Sequence, residues 1–140
     1  MACAPKCDIV ASGQYVGLAE PKKWSAPEST TGERQSLPLK LVRETQEIEA
    51  KLGQGFGFEY ALSGVRPNAK LQAVVVHPPI PNTKGELVTG FTSEWSSRET
   101  TIAYWFGETR LLVPGQWSLR ILHEGKPLCE RSFTVRISDA

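Results

Sequence analysis

The residues able to do acid–base, nucleophilic or metal chemistry are few: two histidines, three cysteines and scattered carboxylates. His77 and His123 stand alone, with no H-x-x-x-H, aspartate-rich loop or cysteine knuckle around them. That pattern calls for no metal and no cofactor. Cys3 and Cys7 lack the C-x-x-C spacing of a redox pair. Cys129 falls one strand after His123, so a thiol and a base could meet across a hairpin. Yet Cys129 shares parity with Phe133, Val135 and Ile137, and a buried thiol packs as a small hydrophobe. The expectation is a structural, unreactive Cys129, with a cysteine-dependent enzyme or redox sensor as the remote alternative. Because the cysteine count is odd, at least one is free or pairs between chains.

Glu47, Glu49 and Glu59 form the nearest set of carboxylates for acid–base work. Charged residues at alternate strand positions ordinarily face solvent, and nothing in the spacing brings these three into a cleft. Residues 53–57, Gly-Gln-Gly-Phe-Gly, look like a nucleotide loop, but a strand pattern follows them where phosphate binding needs a helix N-terminus. No enzyme is expected.

Recognition is the remaining chemistry. Trp117 suits the core between two sheets, which leaves Trp24, Trp95 and Trp105. Trp24 and Trp95 sit in polar, loop-like sequence, and Trp105 has the parity opposite to Ile102, Tyr104 and Phe106. Exposed indoles offer large contact areas at little entropic cost. His77, Pro78 and Pro79 open a proline-rich segment, residues 78–90, whose pre-ordered extended form could dock a partner. These six residues are the candidate binding set; each tryptophan could equally close a gap at the edge of a core.

Short strands must position these groups. Glycine (12) and proline (10) interrupt the 140-residue chain too often for a long helix. Residues 116–123 and 126–137 alternate cleanly and are joined by Glu124-Gly125, a hairpin with high turn propensity. Residues 56–62 and 102–106 also alternate, and 71–77 is a denser apolar run suited to a central strand ending at Pro78-Pro79. Residues 9–18 read as an N-terminal edge strand with a bulge near Gly13, and 37–41 as a second edge strand demoted by Pro38. Residues 42–52 are helix-like in composition but lack an apolar stripe, so they read as strand end and loop. The result is one all-β domain over residues 1–140, a two-sheet immunoglobulin-like sandwich of about seven antiparallel strands, with residues 1–7 as a flexible leader. A small barrel is the alternative.

Sixteen basic against fifteen acidic residues give a net charge of +1, without the clustered positive charge that nucleic acid or anionic membrane would need. No apolar run is long enough for a membrane helix, and residues 1–21 lack the apolar segment of a signal peptide. The expected location is cytoplasmic, or periplasmic if a signal has been removed.

Several short motifs in order resemble a known family: Gly13-Gln14-Tyr15, residues 48–53, Phe56-Gly57, His77-Pro78-Pro79, Gly90-Phe91-Thr92, Pro114-Gly115-Gln116-Trp117, and Gly125-Lys126 with Phe133-Thr134-Val135. Their order over residues 8–137 is similar to that of a bacterial family, domain of unknown function 3859. The resemblance implies a small β-sandwich and transfers no catalytic residue. Glu49 replaces a proline of the pattern, and residues 19–36 are an insert of this chain. The expected function is therefore a non-catalytic binding or scaffolding module for an unknown protein partner or a second copy of itself. A small-ligand or carbohydrate-binding domain using surface tryptophans is the alternative.

Overall fold

Alternation of apolar and polar residues gives each strand one buried and one exposed face, and two such sheets close on each other to remove the apolar faces from water. The computed structural model describes residues 4–17, 22–25, 33–36, 39–67 and 69–137. Its strands are β1 (Lys6–Gly17), β2 (Lys22–Ser25), β3 (Glu33–Ser36), β4 (Leu39–Glu44), β5 (Glu47–Ala50) and β6 (Gln54–Ser63). They continue as β7 (Lys70–Pro81), β8 (Leu87–Ser96), β9 (Thr101–Trp105), β10 (Gly115–His123) and β11 (Lys126–Ile137). One sheet has the order β4-β1-β6-β9 and the other β5-β11-β10-β7-β8, while β2 and β3 pair separately. Neighbours are antiparallel except for the parallel pair β5 and β11.

The core lies between the two larger sheets. Phe56, Phe58 and Tyr60 of β6 meet Trp117, Leu119 and Ile121 of β10 and Phe133 and Val135 of β11, all buried. Trp117 is fully enclosed, and its indole Nε1 donates to the Val113 carbonyl at 3.1 Å, so the one polar atom of the ring is satisfied. The β10–β11 hairpin forms as its sequence predicts: Glu124 and Gly125 take φ of 51° and 78°, the two left-handed residues of a tight turn.

Four expectations are corrected. The strand at 71–77 does not stop at Pro78-Pro79; it runs on to Pro81 by bulging. Val76 pairs with Gly90 and Ile80 with Val88, so the residues between them, Pro78 and Pro79 among them, are spread over a shorter span of β8 and need donate no ladder hydrogen bond. The presumed loop 78–90 is thus mostly a hairpin. The N-terminal strand is not an edge from Gly13 to Gly17, where β4 returns antiparallel beside it, though its first residues pair with β6 alone; β4 itself is the edge expected of that segment, with Pro38 outside the described residues. The chain at 42–52 is not a strand end followed by loop. It leaves one sheet at Glu44 and joins the other at Glu47, where Gln46 accepts from the Thr134 N–H at 2.8 Å. Finally, Lys6 and Cys7 belong to β1 and not to a leader.

Candidate functional site

Two sheets of four and five strands leave free ladders at their ends. Strand β8 ends the five-stranded sheet and β9 ends the four-stranded one. Residues 97–100 join them directly, so the two free edges fall on the same side of the sandwich. Strand β8 is ten residues long, carries no proline or lysine, and exposes Leu87, Thr89, Thr92, Glu94 and Ser96.

The candidate tryptophans separate on this frame. Trp95 is in β8 and not in a loop. It faces inward opposite Leu71, packs against the core, and its Nε1 donates to the Tyr60 hydroxyl at 2.7 Å. It therefore ties the edge of one sheet to the other. Burial dominates the Tyr60 hydroxyl and pushes its pKa up to about 12, against the lowering effect of the Trp95 hydrogen bond. Trp105 is half-buried at the end of β9, opposite Gly55, with Ile102 and Tyr104 turned the other way into the core. It lies on the outer sheet face, as its parity predicts. Trp24 is placed in β2 opposite Arg34, and its side chain is outside the described residues.

Tyr15 shares the outer face with Trp105, since both pair across Gly55. It is nevertheless buried, and its hydroxyl has no hydrogen-bond partner among the described residues. Burial first, then the nearby Glu59 and Glu44 carboxylates, push its pKa up to about 12. Nothing in the alternation of β1 marks this residue, because its parity places it outside.

His77 is buried, so it offers no surface to a partner. Its ring lies 5.1 Å from that of Trp117, and Nδ1 donates to the Pro78 carbonyl at 2.6 Å. Burial lowers its pKa, the hydrogen bond to Pro78 acting in the opposite direction. Pro79 is exposed and Pro78 half-buried. The Pro78 carbonyl thus holds an imidazole that lies against the core tryptophan.

The expected free thiol at Cys129 is corrected. Cys129 is bonded to Cys7, linking β11 of one sheet to β1 of the other across 122 residues of sequence. A sulfur in a disulfide is no nucleophile, and His123 lies at the hairpin end opposite Lys126. A leader reading of residues 1–7 hides this pairing. The parity of Cys7 with Ile9, both turned toward the core, is the signal that could have found it. Nor do the carboxylates converge. Glu47 pairs with Arg136 at 3.2 Å and Glu49 with Lys51 at 3.4 Å on β5, whereas Glu59 is on β6 of the other sheet.

The family described as domain of unknown function (DUF3859) matches residues 7–135, nearly the whole chain. The chain belongs to the DUF3859 family. It is also similar to a crystal structure of an immunoglobulin-like protein from Pseudomonas aeruginosa, with a TM-score of 0.64 and 25% identity over 96% of this chain and 98% of that one. The architecture is thus an immunoglobulin-like sandwich. No curated protein matches. Within the DUF3859 frame, the motifs that carry the resemblance meet in space. Gly13 stands opposite Gly57, and Gln14 donates to the Glu49 carbonyl and the Gln54 side chain. Gly115 abuts Pro78, where an added Cβ would fall 2.9 Å from Pro78 Cγ. These contacts join strands, which is why the resemblance informs on fold and not on reaction.

No helix among the described residues is long and apolar enough to cross a membrane.

Proposed function

We propose that this domain is a non-catalytic recognition module that contacts a protein partner along the open side formed by β8 and β9. The long edge position of β8, which has β7 as its one strand neighbour among the described residues, carries this reading. An incoming extended segment gains main-chain hydrogen bonds along such an edge, with side chains at alternate positions giving selectivity. Trp105 supports it, being the one candidate tryptophan whose described side chain is on an outer face beside that edge. The carbohydrate alternative is less favoured, because Trp95 and Trp117 turn inward and do not build a stacking platform. A photo-crosslinking residue at Thr92 or at Trp105, expressed in the native cell, should give discrete protein adducts. The same residue at Ser118, mid-sheet on β10, should not. Equal labelling at all three sites, or none at Thr92 and Trp105, would count against the reading.

We also propose that the module works in an oxidising compartment and not in the cytoplasm. The Cys7–Cys129 bond supports this, since cytosolic thiols are kept reduced. Protein taken from native cells under acid quench should show Cys7 and Cys129 unalkylated; recovery of both as free thiols would contradict it.

A further inference from the structure

The two halves of β1 are held differently. From Gly13 to Gly17 the strand lies between β4 and β6, and Gln14 is buried and hydrogen-bonded. From Lys6 to Ile9 it pairs with β6 alone, because the register with β4 begins at Gly13. A bulge at Val10, which is 67% exposed, separates the halves. In the outer half only Cys7 and Ile9 face the core, and both are half-buried; Lys6 and Asp8 are exposed. Four ladder residues and two partly buried side chains are a weak hold. Segments with few buried contacts and a solvent-exposed ladder open locally at low free energy. The strongest tie on this half-strand is the bond from Cys7 to Cys129, itself buried in β11 opposite Ile121.

We infer that the Cys7–Cys129 disulfide is a redox latch on the N-terminal half of β1. A dithiol reductant opens it by two exchanges. One thiolate attacks a sulfur of the pair to form a mixed disulfide, and the second displaces the other cysteine. Two electrons and two protons end on Cys7 and Cys129 as thiols, and the reductant leaves as its own disulfide. Residues 6–10 then swing about the Val10 bulge away from β6. This bares the β6 ladder from Ala61 to Ser63, the Tyr60 N–H being bonded to the Thr100 carbonyl on the other side, and the inward side chains of Tyr60 and Leu62, which Ile9 and Cys7 face in register. Both sheets persist, because every other strand keeps its neighbours. The latch shares its bond with the proposed oxidising compartment, so absence of the bond would remove both, whereas the pattern of opening tests the latch by itself.

The experiment is amide hydrogen exchange on a Cys3→Ser background, which removes reshuffling through the third cysteine, before and after dithiothreitol with thiols counted by alkylation. The oxidised protein should show no free thiol and the reduced protein two. On reduction, residues 6–10 and 61–63 should lose protection by about tenfold or more while β7 and β10 keep theirs. Ile9→Ser should widen that local loss in the reduced protein only. Two free thiols in the air-oxidised folded protein would overturn the latch. So would unchanged exchange at 61–63, or loss of protection throughout both sheets.

Discussion

Around Trp117 the two sheets meet ring against ring, whereas near Cys7 they meet through a covalent bond. At the first region the Trp117 ring lies 4.9 Å from Tyr104, 5.7 Å from Phe56 and 5.9 Å from Phe106, and Phe56 lies 5.0 Å from Phe133. Each of these rings is buried, so each contributes both transferred apolar area and favourable ring geometry. At the second region Cys7, Ile9 and Leu62 are only partly buried. Burial there is too thin to hold a strand end, and the disulfide acts instead by restricting the unfolded chain. One sandwich thus closes its two ends by different physics, packing in the folded state and entropy in the unfolded one.

The largest expected effect is at the aromatic end. Trp117→Ala should cost about 3–5 kcal/mol in denaturant unfolding, as for other large core aromatics. A cost smaller than that of losing the disulfide would invert the comparison. Reduction, or the pair Cys7→Ser with Cys129→Ser, should cost about 2–4 kcal/mol. Against a typical domain stability of about 5–15 kcal/mol that leaves the reduced protein folded. A calorimetric scan with and without reductant reads the difference directly.

The smallest effect sharpens the aromatic end further. His77 is buried against Trp117 with its pKa lowered below the usual 6.5 by burial, so the unfolded chain takes up its proton first as pH falls. Stability is therefore highest above about pH 6.5. It declines as pH drops toward the folded pKa, with a slope of at most about 1.4 kcal/mol per pH unit for this one proton. His77→Gln should flatten that part of the stability–pH curve in denaturant midpoints measured between neutral and mildly acidic pH. An unchanged slope would mean that other groups carry it.

Much of the frame was legible because strand alternation is a local signal. The β10–β11 hairpin, the inward Trp117, the outward Trp105 and the central position of β7 all follow from parity and turn chemistry. The bulge that carries Pro78 and Pro79 was not legible, since it depends on β8 offering a shorter partner segment. The switch of sheets between Glu44 and Glu47 was hidden by a helix-like composition that tertiary pairing overrode. The candidate site fared less well. His77 and Trp95 read as recognition residues because histidine beside prolines and tryptophan among polar residues look exposed. Both are turned inward by the register of strands that pair far away in sequence.

By itself, then, the amino-acid sequence determined an all-β sandwich and the faces of most of its strands, because a period of two is written residue by residue. Tertiary structure alone decided that β8 and β9 are edges, that Trp95 turns inward, and that Cys7 reaches Cys129. Those outcomes depend on where two sheets stack and how distant strands align, and no local pattern carries that distance.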